Sequence, residues 1–248
     1  MTTTLMQFYL PRLALIAVNG VGVDKIDVEQ ARSRGIRIAT TDDILTDAVA
    51  DQAVALLLAL LRQVCLADRF VREGLWEQGG FALLGTSLRG QRVGIVGLGK
   101  IGTAIAERLQ PFGVVLSYHN RRPLPDCPYT YVDDLCALAS TCDILIVAAA
   151  GGAGSRHLVS GQVLDALGPQ GVLVNVARGS VIDEAQLVAR LLDGRVGGAA
   201  LDVFEHEPHV PQALLALDNV VLQPHLGSAT LQTRRAMADC VVRAVLAG

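Results

Sequence analysis

The sequence predicts an α/β fold in which helices cover both faces of a doubly wound, parallel sheet. After residue 90, short apolar runs alternate with helical patterns, and these runs fall at residues 93–96, 114–118, 144–148, 172–176, 199–203 and 220–222. The runs are largely apolar and lack the strict alternation of a half-exposed strand, as is typical of parallel strands that are buried on both faces. Ligands of such sheets bind at the carboxyl ends of the strands, so the residues that follow each run are the candidate functional residues.

The most specific motif is RVGIVGLGKIG at residues 92–102, where an apolar strand meets three glycines and a helical pattern follows. Gly97 allows a sharp turn, Gly99 lets the backbone approach a pyrophosphate, and Gly102 lets the helix pack closely on its strand. We therefore predict a Rossmann-type dinucleotide site rather than an accidental cluster of glycines. The candidate cofactor contacts in the motif are Gly97, Leu98, Gly99, Lys100, Ile101 and Gly102.

The residues after the second strand bear on the choice of cofactor. About 20 residues past the glycines, NAD-binding proteins usually place an acid on the ribose hydroxyls, but this chain has Asn120, Arg121 and Arg122. An amide and two guanidinium groups can bind a 2′-phosphate, which an acid would repel. We predict that NADP(H) is preferred and that NAD(H) is possible. The alternative is a solvated basic turn before Pro123.

An arginine, two acids and a histidine follow three of the later strands: Arg178, Asp202 with Glu207, and His225. A cation can hold an anionic substrate, a histidine can donate a proton to a developing alkoxide, and a carboxylate can raise the pKa of that donor. These residues therefore fit the transfer of hydride to a carbonyl group.

Each of these residues also has a simpler interpretation. Arg178 would suit a helix C-terminus or a surface ion pair, and His225 would suit a buried, hydrogen-bonded position. The segment EHEPH around Glu207 resembles a metal-ligand cluster, but its HExH spacing and Pro208 do not fit a helical HExxH site, so we predict no metal. His119 and His157 have no acidic neighbour of this kind in the sequence, and we expect them to be structural.

Residues 13–40 read as a strand–helix–strand unit with the loop NGVG after its first strand. Glycines after a strand free backbone N–H groups to hold a carboxylate, although an ordinary glycine turn has the same composition. Two strands and one helix bury too little surface to be stable alone. We predict a small substrate-binding domain at residues 1–45, a dinucleotide-binding domain at 46–224, and a segment that returns to the small domain at 225–248.

The segment 46–71 is helical by pattern, with Thr46 as its expected N-cap and apolar residues on nearly every face. Such a helix is buried, here in part against a second subunit. The irregular stretch that follows contains Trp76 and Phe81 and resembles an arm. We therefore predict that residues 46–90 form a dimerisation arm and that the protein is a homodimer.

Composition excludes several classes of function. The net charge of −3 and the pI near 5.9 offer no basic surface, so we expect no nucleic-acid binding. The longest uninterrupted apolar run, Ala53 to Leu61, is too short to span a bilayer, and we expect a cytoplasmic protein with no membrane role. Five cysteines without a CxxC pair indicate buried, reduced thiols.

Together these motifs resemble the D-isomer-specific 2-hydroxyacid dehydrogenases, a likeness that extends over residues 11–243. Its markers are GVGVDKID, VGIVGLGKIG, LVNVARGSVIDE, GAALDVFEHEP and LQPHLGSAT. The resemblance implies that Arg178 binds the substrate, that His225 is the acid/base and that Glu207 is its partner. It also implies that Val21 and Gly22 bind the substrate carboxylate together with Arg178 and His225. Further cofactor contacts implied by the resemblance are Ala150, Val176, Ala177, Arg178, Asp202, His225 and Gly227, with Asp202 at the nicotinamide end.

Within the family, the segments SYHNRRP and AAAGG are most similar to NADPH-dependent glyoxylate, hydroxypyruvate and hydroxyphenylpyruvate reductases. Formate dehydrogenases of this fold carry glutamine at the position of Glu207, which argues against that branch. The resemblance implies a D-specific oxidoreductase that transfers hydride between NADP(H) and a small 2-keto or 2-hydroxy acid.

Family members begin with a further strand–helix–strand unit, so the resemblance also implies that the flavodoxin-like substrate domain is truncated here. This leaves a second hypothesis, a dinucleotide-binding protein of the same fold with weak or no catalysis, similar to the corepressors among its relatives.

Overall fold

A computed structural model of the protein describes Met6, Leu10 and residues 12–247. Residues 1–5, 7–9 and 11 of the predicted small domain, and Gly248 of the predicted return segment, lie outside the described residues. The strands are β1 (Leu15–Ala17), β2 (Arg37–Ala39), β3 (Arg92–Val96), β4 (Val115–His119), β5 (Thr130–Tyr131), β6 (Ile144–Val147), β7 (Val172–Asn175), β8 (Gly198–Leu201) and β9 (Val220–Leu222).

The helices alternate with these strands along most of the chain. They are α1 (Val28–Ser33), α2 (Asp42–Leu61), α3 (Val64–Arg72), α4 (Lys100–Leu109), α5 (Leu135–Thr141), α6 (Gly161–Leu167), α7 (Glu184–Leu192), α8 (Gln212–Leu215) and α9 (Leu231–Leu246).

The large sheet has seven strands in the order β5-β4-β3-β6-β7-β8-β9, and every neighbouring pair is parallel. The predicted doubly wound parallel sheet is therefore confirmed. The chain runs outward in one direction from β3 to β5 and in the other from β6 to β9, so the topological switch lies between β3 and β6. A crevice at the carboxyl ends of those two strands is where such folds bind ligands.

The alternation of side chains in β6 explains why its sequence is apolar throughout. Ile144 and Ile146 point to one face, into a core shared with α2 and α4, while Leu145 and Val147 point to the other, into a core shared with α5, α6 and α7. All four side chains are at most 1% exposed. A strand that is buried on both faces has no position for a polar residue.

Five of the six strands predicted for the large sheet differ from the structure at one or both ends. β3 begins one residue before the predicted 93–96, and β6 and β7 each end one residue before the predicted ends at 148 and 176. β4 begins and ends one residue later than the predicted 114–118, and β8 covers Gly198–Leu201 instead of 199–203. β5 has only two residues, of which Thr130 is exposed, and it was not predicted because so short a strand carries no apolar run.

The prediction of one helix over residues 46–71 that begins at Thr46 is wrong. α2 begins at Asp42 after the N-cap Thr41, and Gln63 takes a left-handed conformation with φ 54° that separates α2 from α3. A non-glycine residue in that region ends the α-helical hydrogen-bond ladder. The expectation of a buried helix applies to α2 alone, because no residue of α3 is buried.

By length and composition, Asp43–Leu61 of α2 is apolar enough to cross a membrane, a test that the core helix of a soluble protein also passes. Its residues Ala50, Ala53, Leu56 and Leu57 are at most 2% exposed and belong to the core shared with α4 and the large sheet. Contacts within the chain thus account for the apolar residues on the side of α2 that faces this core.

The N-terminal unit is much smaller. Strands β1 and β2 form a separate two-stranded parallel sheet, and Asp27 caps α1 by accepting a hydrogen bond from the N–H of Gln30 at 2.9 Å. Its core of buried residues consists of Met6, Ile16, Ala31 and Ile36.

The C-terminal helix α9 lies against this unit, where the guanidinium of Arg37 donates to the carbonyl of Ala244 at 2.9 Å. The predicted return of the C-terminal segment to the small unit is consistent with this contact.

The five cysteines are free, but the expectation that they are buried is wrong for four of them. Only Cys142 is buried, and its burial beside β3 raises the pKa of its thiol to about 11. Such a thiol is unreactive at neutral pH.

Candidate active site

The glycine turn after β3 has the shape that a pyrophosphate requires. Gly97 has φ +94°, and a Cβ there would lie 2.5 Å from backbone atoms of Ala149, while a Cβ on Gly102 would lie 2.2 Å from the carbonyl oxygen of Gly97. Gly99 is the N-cap of α4, has no side-chain cap, and would have no atom within 4 Å of an added Cβ. Open space therefore lies beside Gly99 at the N-terminus of α4, and the turn fits a dinucleotide phosphate.

The side chain of Asn120 holds this turn from the end of β4. Its Oδ1 accepts a hydrogen bond from the N–H of Leu98 at 2.7 Å, and its Nδ2 donates to the carbonyl of Leu98 at 3.4 Å. The neighbouring Arg121 and Arg122 are exposed. Of the three predicted specificity residues, Asn120 thus shapes the glycine turn, and the two guanidinium groups are available to a phosphate.

Lys100, also predicted to contact the cofactor, forms an ion pair with Asp43 of α2. The pair joins the N-terminal ends of α2 and α4, and it places a cation beside the glycine turn. The neighbouring Ile101 is partly buried and packs against the core between these helices.

The turn that presents Arg178 follows β7 and is shaped by Asn175, a residue that the sequence analysis missed. The side chain of Asn175 is 1% exposed; it accepts from the N–H of Ala177 at 3.0 Å and donates to the carbonyl of Arg178 at 3.1 Å. The available signal was a polar residue at the end of an otherwise apolar strand. The predicted contacts Val176 and Ala177 are buried in this turn.

Arg178 lies between the two parts of the molecule. Its Nε is 3.4 Å from Oδ1 of Asp24, which belongs to the N-terminal unit. A Cβ on Gly22 would lie 2.0 Å from Nη2 of Arg178, and a Cβ on Gly151 would lie 2.6 Å from its Cγ. The structure therefore brings the predicted Val21–Gly22 loop to Arg178, whose side chain lies between Gly22 and Gly151.

His225 and Glu207 form a pair, as the sequence analysis predicts. Nδ1 of His225 is 2.9 Å from Oε2 of Glu207, and the other oxygen of Glu207 accepts from the N–H of Phe204 at 3.1 Å. Because a carboxylate only accepts hydrogen bonds, Nδ1 donates and Nε2 remains for a substrate. The side chains are 47% and 37% exposed, so solvent reaches the pair.

Asp202 holds the turn on which His225 lies. His225 has φ +56°, and its N–H donates to the carbonyl of Asp202 at 2.8 Å. The Asp202 carboxylate, 1% exposed, accepts from the N–H groups of Leu226 at 2.7 Å and Gly227 at 2.9 Å. Burial raises the pKa of Asp202, and these two N–H bonds offset part of that rise. The contact of Asp202 with the nicotinamide end stays a prediction.

Gly179 joins the loops of Arg178 and Glu207. A Cβ on Gly179 would lie 1.9 Å from the carbonyl carbon of Phe204 and 2.2 Å from the nitrogen of Glu205. The turn that presents Arg178 thus packs directly on the loop that presents Glu207. The loops after β7, β8 and β9 meet at one edge of the sheet and bring together the three predicted catalytic residues.

The expectation that His157 lacks an acidic neighbour is wrong. Its Nε2 is 2.9 Å from Oε1 of Glu205, and its Nδ1 is 3.7 Å from Oδ2 of Asp183. Arg156 also pairs with Glu205 at 2.7 Å. Sequence spacing hides these contacts, because His157 and Glu205 are 48 residues apart. By contrast, His119 contacts the carbonyl of Val132 at 3.1 Å.

The family model for the D-isomer specific 2-hydroxyacid dehydrogenase, NAD binding domain, matches residues 54–227. The chain therefore belongs to the D-isomer specific 2-hydroxyacid dehydrogenase family. The predictions of this family, of a nicotinamide-dinucleotide domain and of an oxidoreductase acting on CH–OH donors are confirmed.

Three individual proteins are similar to this chain over most of its length. Glyoxylate/hydroxypyruvate reductase A HPR2 of Arabidopsis thaliana is 52% identical over 94% of this chain and 74% of its own length. Hydroxyphenylpyruvate reductase of Plectranthus scutellarioides is 49% identical over the same shares. Among solved structures, NADPH-dependent glyoxylate/hydroxypyruvate reductase of Sinorhizobium meliloti, in complex with NADP and malonate, has a TM-score of 0.95 and 48% identity. That match covers 98% of this chain and 76% of the other.

Proposed function

We propose that this protein is an NADPH-dependent reductase of small 2-keto acids, with glyoxylate, hydroxypyruvate and aryl pyruvates as the candidate substrates and D-2-hydroxy acids as products. The observation that carries the proposal is the Glu207–His225 pair, whose loop packs through Gly179 on the turn of Arg178. A proton donor and a carboxylate-binding cation therefore face the same crevice. The relatives named above, which are reductases of such acids, support this choice of substrate class.

Each residue of the site has a separate role in the proposed reduction. Arg178 binds the carboxylate of the keto acid by charge-assisted hydrogen bonds, and the N–H groups of Val21 and Gly22 complete that binding. When bound, NADPH supplies the hydride that the keto carbon receives. His225 gives a proton from Nε2 to the keto oxygen as negative charge develops there, and Glu207 keeps the imidazole oriented and stabilises its protonated form.

The decisive experiment follows NADPH oxidation at 340 nm with glyoxylate, hydroxypyruvate and phenylpyruvate as separate substrates. We expect turnover with at least one of the three and a D-configured product. Tight NADPH binding without turnover on any of them would contradict the proposal and favour the alternative of a dinucleotide-binding protein without catalysis.

The preference for NADPH is supported by the exposed Arg121 and Arg122 beside the glycine turn. We expect Arg121→Ala to weaken NADPH binding by about 1–3 kcal/mol, the free energy of a hydrogen bond to a charged group, with NADH binding unchanged. Fluorescence titration with both cofactors measures the two Kd values. Arg89→Ala, an exposed arginine away from this turn, is the control. Equal losses for NADPH and NADH would remove Arg121 from cofactor selection.

We also propose that the protein is a cytoplasmic homodimer formed through the predicted arm, residues 46–90. Support comes from exposed apolar side chains in that segment, which include Val64, Val71, Trp76, Leu83 and Leu84. Five free cysteines support a reducing compartment. Sedimentation of the wild type and of Leu84→Glu tests the dimer: we expect the variant to shift toward monomer, and an unchanged dimer would exclude this surface.

A further inference from the structure

The loop that carries Glu207 lies between β8 and β9, outside the helices and strands, so individual hydrogen bonds determine its shape. Two consecutive backbone N–H groups of this loop donate hydrogen bonds to carboxylates. The N–H of Phe204 donates to Glu207 itself at 3.1 Å, and the N–H of Glu205 donates to Oε2 of Glu184 at 3.0 Å. The first bond orients Glu207 on the loop, and the second fixes the loop on α7.

Glu184 is a buried carboxyl group that the proposed reaction does not use. It is 7% exposed and lies in the first turn of α7, after the N-cap Asp183. Burial raises the pKa of Glu184, and the hydrogen bond from the N–H of Glu205 opposes that rise. Burying a carboxyl group is costly unless it is hydrogen-bonded. The bond to Glu205 is therefore a specific contact between α7 and the loop of Glu207.

The hydrogen bond to Glu184 orients the N–H group of the peptide between Phe204 and Glu205, while the neighbouring contacts act on other atoms. Gly179 packs against that peptide: a Cβ added to Gly179 would lie only 2.1 Å from the oxygen of Phe204. This contact sets the distance between the peptide and the turn of Arg178. The carboxylate of Glu205 is held separately by Arg156 at 2.7 Å and His157 at 2.9 Å. Packing alone does not fix the direction of an N–H group, whereas a hydrogen bond to a buried acceptor does.

We infer that Glu184 is a positioning residue for the proposed reduction: by accepting the N–H of Glu205, it aims the Phe204–Glu205 backbone so that Glu207 reaches His225. The inference depends on the proposed function for its kinetic consequence, because Glu184 acts only through Glu207. Loss of the acceptor lets the peptide rotate, and Glu207 then loses its 2.9 Å contact with Nδ1 of His225. The carboxylate–histidine pair is sensitive to such movement, because general acid catalysis requires alignment within hydrogen-bond reach.

The test compares three substitutions of Glu184 by NADPH oxidation. Glu184→Ala removes the acceptor, and we expect kcat to fall about tenfold or more, which is part of the 10² to 10⁴ that general acid catalysis typically contributes. Glu184→Gln keeps an acceptor at the same reach, and we expect kcat close to that of the wild type. Glu184→Asp withdraws the acceptor by one carbon without removing the charge, so it tests the same bond if the alanine variant fails to fold. The KM for NADPH should not change in any of them.

Asp165→Asn is the matched control. Asp165 pairs with the buried Arg190 at 2.7 Å, at the other end of α7, so its loss weakens the anchorage of the same helix without touching the loop of Glu207. We expect a lower Tm and an unchanged kcat. A control as slow as Glu184→Ala would overturn the inference, because general loosening of α7 would then explain both results. A Gln variant as slow as the Ala variant would overturn it too.

A second measurement does not require turnover. The Nδ1–H proton of His225, detected by ¹H–¹⁵N NMR, reports the hydrogen bond to Glu207, and its assignment follows from its loss in Glu207→Ala. We expect the signal in the wild type, Glu184→Gln and Asp165→Asn, and its loss or shift in Glu184→Ala and Glu184→Asp. If the wild type has no reductase activity, the proposed function fails while the NMR comparison still decides the role of Glu184. An unchanged signal in Glu184→Ala would overturn that role.

Discussion

The two sheets of the molecule are both parallel, yet they differ in how completely they are buried. The seven-stranded sheet has a core on each face, and β6 has no residue that is more than 1% exposed. The two-stranded sheet has one buried residue, Ile16, and its strand β2 begins with the exposed Arg37. A two-stranded sheet is marginal by itself. The large sheet therefore supplies the stability, and the small unit depends on its contacts with α9 and Arg178.

The residues of the proposed reaction come from both regions, and most of them come from the more deeply buried one. Arg178, Glu207 and His225 lie on short loops at the edge of the large sheet, where backbone hydrogen bonds hold them. The loop with Val21 and Gly22 belongs to the small unit and meets Arg178 across a boundary. Ligand-binding loops are often drawn from the less stable parts of a protein. From this division we expect the small unit to open more easily, while the proposed catalytic residues stay in place.

Hydrogen exchange tests the comparison most directly, and here we expect the largest effect. Amides of β6 should exchange only through global unfolding, whereas those of β1 should exchange through local opening of the small unit, about 10³-fold faster or more. Mass spectrometry of peptides covering 15–17 and 144–147 gives the two rates. Equal protection of β1 and β6 would mean that the two regions unfold together.

The second test asks whether His225, at the edge of the large sheet, donates the proton in the proposed reaction. His225→Ala removes the proposed proton donor, and we expect turnover to fall by about 10² to 10⁴, as general acid–base catalysis predicts. The Kd for NADPH should change little, because the glycine turn is intact. Steady-state kinetics and cofactor titration measure both quantities. Turnover at the wild-type level would exclude His225 from the mechanism.

A matched pair of isoleucine substitutions compares the two cores. Ile146 in β6 is 0% exposed and Ile16 in β1 is 8% exposed. We expect Ile146→Ala to lower the global free energy of unfolding by about 2–5 kcal/mol, because it leaves a cavity in a close-packed core. Ile16→Ala should lower the protection of the small unit and leave the main unfolding transition nearly unchanged. A similar loss of global stability in both variants, measured by urea denaturation, would refute the separation.

The smallest expected effect concerns the ion pairs that Glu205, in the loop of Glu207, forms with Arg156 and His157. Burial raises the pKa of Glu205, but hydrogen bonds and charges from His157 and Arg156 outweigh it, so the pKa lies below its ordinary value of 4.5. The folded state thus binds fewer protons, and the stabilisation is present above that value and lost as the pH falls through the lowered pKa. Glu205→Gln should lower the Tm by about 2–4 °C at pH 6.

The difference between this variant and the wild type should shrink as the pH falls below 4.5 and through the lowered pKa of Glu205, since both forms then lack the charge. Calorimetry across this range measures it. A difference that stays constant with pH would show that Glu205 contributes through packing rather than through its charge.

Much of the site was predictable because it depends on local sequence. The glycine spacing at residues 97–102 specifies the turn after β3, and the rule that ligands bind at strand ends singled out Arg178, Glu207 and His225. By contrast, the contacts of Asn120 with Leu98 and of Glu184 with Glu205 join residues that are 22 and 21 positions apart. No periodic pattern relates such positions, so they were not predicted.

The parallel sheet and the dinucleotide turn follow from the amino-acid sequence alone, because apolar periodicity and glycine spacing act within a few residues of the chain. The end of α2 depends on the packed fold, since Gln63 carries no sequence signal for its left-handed conformation. The pairing of Glu205 with His157 and Arg156, and the position of Arg178 between Gly22 and Gly151, also depend on the packed fold. These features depend on which loops the fold brings to the same edge of the sheet, and that is fixed only when all seven strands are packed.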